Sequence, residues 1–342
     1  MTTHQTIAIE TVEMHTGGEP VRIVSAGYPS VEGKTILEKR RYARERLDHL
    51  RRMLIFEPRG HYDMYGVIPV EPDLGEADMA VLFMHNEGYS TMCGHAVIAL
   101  GRYAVDRGIV RPRVPETEVR IQCPCGLVRA RVEVEDGPEG PLTGAVAFES
   151  VPAFAYRLDA EVEVPGHGRV KLDIGYGGAF YAIVPAASFG LDVKQAPVAE
   201  LVELGARTTE AAQAQIPLEH PDDPELAFLY GTILTDGRDA FEAMPTANVC
   251  VFAAREVDRS PTGSGVTARI AIQTARGLIG LGQERKFESV TGAIFTGKAL
   301  KRAQAGRFAA VTVLVGGRAH YTGTARFTIE PDDLLGGGFL LR

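Results

Sequence analysis

The chain is short of three things, and each shortage closes off a class of function. No apolar run approaches the roughly 20 residues that a membrane-crossing helix needs. The opening Met1-Thr2-Thr3-His4-Gln5 also lacks the basic and apolar stretch of a secretory signal, so a cytoplasmic protein with no membrane partner is expected. Positive charge is the second shortage: 36 Lys and Arg stand against 44 Asp and Glu, a formal net charge of -8. That balance disfavours nucleic acid as a partner. Cysteine is the third. Cys93, Cys123, Cys125 and Cys250 are too few and too scattered among 342 residues to form a disulfide framework, and they read as free thiols. Cys123-Pro124-Cys125 has no second close pair to complete a zinc site, and Cys250, inside an apolar run, reads as packing material.

What is present is enough sequence for about two domains with proper cores, and it carries an internal repeat. Shifting the chain by about half its length aligns Met79–Gly108 with Asn248–Gly277 without a gap. Phe83 then falls on Phe252, Val97 on Val266, Ala99 on Ala268, and Arg107-Gly108 on Arg276-Gly277. Gly17-Gly18 followed by Ile23-Val24 recurs as Gly177-Gly178 followed by Ile183-Val184. This is the pattern of an ancient duplication.

The repeat matters because it sets Cys93 on Thr262 and Gly94 on Gly263. Each of these residues closes a strand-loop and opens a helical run: Ala96–Asp106 ending at Gly108 in one case, the stretch after Thr262 in the other. The first turn of a helix leaves amide donors unpaired, and they lower the pKa of a thiol placed among them. Cys93 is so placed. The amides of Gly94 and His95 from one side, and of Gly263 and Ser264 from the other, form two nests able to hold one carboxylate. For His95 the backbone amide is favoured over the ring. Asp258 is set to receive an ammonium or ring N–H through a charge-assisted bond. Thr262 taken alone would be a helix N-cap.

Strands are expected at Ile7–Val12, Val21–Val24, Met64–Val70 and Met79–Met84, and in pieces from Val119 to Phe154 with breaks at Pro124 and 136–141. Further strands are expected at Val170–Ile174, Phe180–Val184, Val249–Ala253, Phe308–Val315 and Ala319–Ile329. Helices are expected over Lys34–Leu54, whose Arg-rich side reads as a solvated face, and over Val198–Ala214. The polar and aromatic segment Arg59–Tyr65 is either a lining of the cleft or a structural loop. The expected division is 1–158 and 159–332, with the apolar tail 333–342 packing back across the first half and a small-ligand site in the cleft between them.

His15-Thr16-Gly17-Gly18-Glu19-Pro20, Arg59-Gly60-His61, Met92-Cys93-Gly94-His95 and Asp258–Gly265 occur in the order in which the proline racemase family carries such segments, and over nearly the full length the chain resembles that family. The resemblance implies an α/β (α+β) fold like that of diaminopimelate epimerase, two pseudo-symmetric halves each wrapping a curved mixed sheet around a central helix. It also implies a cyclic amino acid as substrate, contact of Asp258 with its ring nitrogen, and no metal, pyridoxal phosphate or other cofactor. A homodimer is one assembly open to it. The chain departs from the racemase pattern at Thr262, where a second catalytic cysteine would stand. A threonine hydroxyl is too weak an acid to exchange an α-proton at neutral pH. The departure is similar to that branch of the family which dehydrates trans-3-hydroxy-L-proline; the resemblance implies Cys93 as the single base, with Thr262 facing it either as a hydrogen-bond donor near the departing hydroxyl or as a filler of the vacated space. The alternatives are an isomerase acting on 4-hydroxyproline or proline, and a noncatalytic binder of cyclic amino acids.

Overall fold

The computed structural model describes residues 7–253 and 255–341. The opening five residues, on which the absence of a signal was argued, and Arg342 at the end of the tail lie outside them. The first stretch runs β1 (Ile7–Thr16), β2 (Glu19–Ala26), α1 (Ile36–Arg46), α2 (Asp48–Ile55), β3 (Gly66–Val70), β4 (Met79–Met84), β5 (Tyr89–Ser90), α3 (Gly94–Asp106), β6 (Glu116–Cys123), β7 (Gly126–Gly137), β8 (Gly140–Glu149) and β9 (Ala153–Val164). The programme then repeats as β10 (Gly168–Tyr176), β11 (Phe180–Pro185), α4 (Val198–Gln215), β12 (Leu229–Thr235), β13 (Thr246–Phe252), β14 (Glu256–Val257), α5 (Gly263–Ala275), β15 (Arg285–Glu288), β16 (Ile294–Ala305), β17 (Phe308–Gly317) and β18 (Ala319–Ile329).

The pairings repeat with the order. β2 and β3 are parallel, as are β11 and β12. β4 lies antiparallel to β3 and β5 and parallel to β6, and β13 lies antiparallel to β12 and β14 and parallel to β15. The two sets are stitched into one continuous sheet by β1 against β18, β9 against β10 and β17 against β8. Gly17-Gly18 and Gly177-Gly178 each form the turn of a leading hairpin. The 158/159 position falls inside β9, at a kink where Asp159 takes φ 52 and the register against β10 shifts.

Helices α3 and α5 are the hubs. Almost every residue from Gly94 to Val105 and from Gly263 to Gln273 is buried, which is the signature of a helix enclosed on all sides. The sheet wraps α3 with strands from both stretches and packs β9, β10, β16 and β17 around α5. Small residues allow this: a β-carbon on Gly101 would meet Val146 at 2.9 Å. Val97, Ile98 and Leu100 are fully buried, each contributing about 1.5–3 kcal/mol relative to exposure.

Two expectations need correction. Lys34–Leu54 is two helices, broken at Leu47 (φ -121, ψ 9), where Asp48 restarts the turn and salt-bridges Arg51 at 2.6 Å. Its basic side is also not a solvated face throughout. Lys39, Arg40 and Arg51 are buried, because their charges are spent on backbone carbonyls: Arg40 donates to Tyr89 O at 2.7 Å, and Arg51 to His85 O and Asn86 O at 2.7 and 2.6 Å. These bonds clamp the loop that leads into Cys93. Further on, Phe339 forms a bridge with Glu57, and Arg59 donates to Gly336 O at 3.2 Å, which lays the tail against the end of α2.

Candidate active site

The two hub helices meet end to end. A β-carbon on Gly94 would lie 2.4 Å from Gly263 Cα, and one on Gly263 would lie 2.7 Å from Gly94 Cα. Only glycine permits that approach. Cys93 and Thr262 are the N-caps of α3 and α5, and both line one narrow cavity with Gly94, His95, Asp258, Gly263 and Ser264. All seven residues singled out in the sequence thus converge. The cavity measures about 10 Å³, room for about one water molecule.

The order of secondary structure explains why these side chains face each other. β4 and β5 deliver Cys93 and β13 and β14 deliver Thr262, each immediately before its helix. Thr91 donates across the gap to Gly178 O at 2.8 Å, and within the first half Thr16 donates to His95 O at 2.9 Å, fixing the start of α3. Asp63, at the end of the Arg59–Tyr65 segment, accepts from Val257 N at 3.0 Å and pairs with Arg259 at 3.0 Å. Tyr65 itself lines the cavity, so the segment both lines the site and ties its two sides together.

The electrostatics differ from expectation. Burial pushes the Cys93 thiol well up, and the charges of Asp258 and Glu19 add to this. The Ala96 amide and the Tyr65 hydroxyl pull it down without reversing the direction. The Ala96 amide acts at a distance, as no capping bond to the sulfur closes. Desolvation therefore outweighs the helix end, and the buried thiol rests in its neutral form. The His95 ring, ranked behind its backbone amide on sequence grounds, lies 3.2 Å from Cys93 Sγ through Nδ1. Burial lowers its pKa, so a neutral imidazole stands beside a neutral thiol.

Asp258 is buried and fixed, with Oδ1 accepting from Ser260 N at 2.7 Å. Ser264 Oγ shares a 2.7 Å bond with Tyr181. Thr262 sits at φ 65, a left-handed conformation rare for a β-branched residue. Its Oγ1 is buried without a well-formed hydrogen bond, and the neighbour that senses it is the Cys250 thiol. Cys250 is therefore more than packing: it lines the cavity beside Thr262. Tyr65, Met92, Tyr181, Tyr230 and Phe252 complete the lining. The sequence carried partial signals for this set: Met92 in the Met92–His95 segment, Tyr65 at the end of Arg59–Tyr65, and Phe252 aligned with Phe83 in the repeat.

Residues 11–340 match the proline racemase family. The chain belongs to that family. A trans-L-3-hydroxyproline dehydratase of Xenopus tropicalis is 58% identical over 99% of this chain and 97% of its own length. A trans-3-hydroxy-L-proline dehydratase of Homo sapiens is 58% identical over 98% and 96%. One from Burkholderia ambifaria is 45% identical over 98% of each. Among solved structures, a hydroxyproline epimerase from Agrobacterium vitis with bound trans-4-hydroxy-L-proline superposes with a TM-score of 0.91 at 26% identity, covering 98% of this chain and 95% of that one. The proline racemase family fold is thereby established for this chain, the diaminopimelate epimerase-like arrangement of two pseudo-symmetric α/β halves around central helices. Among the described residues no helix is long and apolar enough to cross a membrane.

Proposed function

We propose that this protein is a hydro-lyase that dehydrates trans-3-hydroxy-L-proline to Δ2-pyrroline-2-carboxylate, which tautomerises to Δ1-pyrroline-2-carboxylate. The observation that carries the reading is the unequal pair at the helix ends, a thiol on one side of the cavity and the Thr262 hydroxyl on the other. Stereoinversion needs an acid and a base on opposite faces of Cα; elimination needs only one base. The relatives named as dehydratases are 45–58% identical, whereas the epimerase is 26% identical.

In this reading the substrate carboxylate lies between the amides of Gly94 and His95 and those of Gly263 and Ser264. Each well-aimed donor stabilises the enolate-like charge by about 3 kcal/mol. The ring nitrogen pairs with Asp258. That ion pair has a second effect: it cancels the upward push of Asp258 on the Cys93 thiol, so arrival of the substrate favours the thiolate that must remove the α-proton. Loss of the 3-hydroxyl as water completes the step. Thr262 occupies the place of a second base without supplying one. The two halves, 1–158 and 159–332, would part to admit a five-membered ring to a cavity of about 10 Å³.

The test is direct. Purified protein is given trans-3-hydroxy-L-proline, and the cyclic imine is measured by coupled reduction. Imine formation is expected. Absence of imine, with 4-hydroxyproline epimerised instead, would overturn the assignment.

A further inference from the structure

The stereochemistry of the substrate, placed in this cavity, distinguishes the two faces further. In trans-3-hydroxy-L-proline the 3-hydroxyl lies on the opposite side of the ring from the carboxylate, and so does the α-hydrogen. The two departing groups therefore share a face. If Cys93 takes the α-proton, the hydroxyl also projects toward the Cys93 side, and Thr262 faces the side from which nothing leaves.

The group waiting on the Cys93 side is Tyr65. It is buried, lines the cavity, and is close enough to Cys93 that its hydroxyl stabilises the thiolate. Its Oη shares a 2.5 Å bond with the buried Ser90 Oγ, and its ring lies edge-on to His95 with centroids 4.9 Å apart. Ser90 stands three residues before Cys93, so the residue that fixes the Tyr65 hydroxyl and the base are carried by one loop. Tyr230 also lines the cavity, but its hydroxyl is turned to that of Tyr65 and it interacts with Cys93 through charge alone.

We propose, resting on the dehydration reading above, that Tyr65 is the leaving-group residue, donating a hydrogen bond to the 3-hydroxyl and holding it over the Cys93 sulfur for a syn elimination. The Cα–H bond breaks and its proton passes to the Cys93 thiolate. The electron pair forms the C2–C3 double bond as the C3–O bond breaks. The departing oxygen, held by Tyr65, takes the proton back from sulfur and leaves as water, which returns Cys93 to thiolate with no solvent proton consumed. Burial holds the Tyr65 phenol protonated, so it serves as a donor rather than a second base. The stereochemical corollary is that cis-3-hydroxy-L-proline, whose hydroxyl would point toward Thr262, is a poor substrate.

The experiment compares wild type, Tyr65→Phe and Ser90→Ala in two assays. For dehydration of trans-3-hydroxy-L-proline, Tyr65→Phe is expected to lower kcat about 100-fold, the usual size of one positioned proton donor, with KM moving far less. Ser90→Ala, which keeps the phenol and loosens it, should lower kcat several-fold. For exchange of the α-hydrogen of L-proline in D2O, which needs the base and no leaving group, Tyr65→Phe should lose only the several-fold owed to its lost bond to the thiolate, far less than it loses in dehydration, with configuration retained. Undiminished dehydration by Tyr65→Phe would overturn the proposal, as would exchange falling as far as dehydration in that variant, or wild-type turnover of the cis isomer at the rate of the trans. Failure of wild type itself to dehydrate the trans isomer would refute the dehydration reading instead.

Discussion

The N-termini of α3 and α5 are built alike and equipped differently. Both helices are 13 residues long, both begin with glycine, and both are fed by a fully buried strand followed by a two-residue strand. Yet Cys93 enters α3 from an extended conformation, φ -145, with its sulfur beside the His95 ring. Thr262 enters α5 from φ 65, with its hydroxyl left without a good partner. The backbone scaffold can thus stay symmetric, since it only has to present amide donors to one carboxylate, while the chemistry lives in the single residue at each cap. Duplication supplies a two-sided grip on the substrate, and divergence at one position decides whether one face or both can move a proton.

The comparison can be broken most severely at its ionisable member. Cys93→Ala should lower kcat for dehydration by about 10⁴-fold or more, as expected when the only proton-transfer group is removed. Ligand affinity, measured by calorimetry with the substrate, should survive, because the amide nests and Asp258 remain. Next in size is the shared backbone contact. Gly94→Ala places a β-carbon 2.4 Å from Gly263 Cα and should cost at least about 1–3 kcal/mol from overpacking. The cost would be read as a lower melting temperature, with the cavity pushed open and kcat reduced. Thr262→Cys sharpens the contrast from the other side: it should introduce a small epimerase activity, detected as solvent deuterium entering 4-hydroxyproline with inversion at Cα, while dehydration persists.

The smallest effect lies beneath the site, at Glu19. Burial and the neighbouring Asp258 raise its pKa, while Oε2 accepts from Arg259 N at 2.6 Å and Oε1 has no partner. A raised folded-state pKa means that the native protein binds this proton more tightly than the unfolded chain does. Its contribution to stability is therefore complete below the unfolded value near 4.3 and is lost as pH rises toward the folded value. Glu19→Gln removes the ionisable group and should flatten the decline of melting temperature with rising pH above that point. An unchanged decline would locate the dependence elsewhere.

Much of this was legible in the sequence where local pattern and tertiary role agree. β4, entirely apolar, and α3, bounded by Cys93 and Gly108, announce themselves through composition and caps. The convergence of Cys93, Gly94, His95, Thr262, Gly263 and Ser264 is legible in the repeat, and that of Asp258 in its place a few residues before the second nest. What stayed hidden depended on distant partners. β16 carries Lys298, Lys301 and Arg302 on a half-exposed strand, a composition that gives little strand signal by itself and becomes a strand through pairing with β15 and β17. β12 carries Gly231 inside its apolar run, which weakens its strand signal, yet a β-carbon there would lie 2.3 Å from Val251 O, so close strand approach is what requires the glycine. Arg40 and Arg51 look like surface cations until the carbonyls they satisfy are known. The direction of the Cys93 pKa was misjudged for a related reason: a helix start is visible in a sequence, whereas the desolvation that overrides it is a property of the finished fold.

The contact between Gly94 and Gly263 has one further implication. Each helix presents about half a positive elementary charge at its amino end, and here two such ends are pressed together in the buried interior, so they repel. An anion lodged between them is then more than a passenger, since it acts as the counter-ion that the paired hubs lack. Small planar carboxylates should accordingly brace the whole molecule against heat, whether or not they can react.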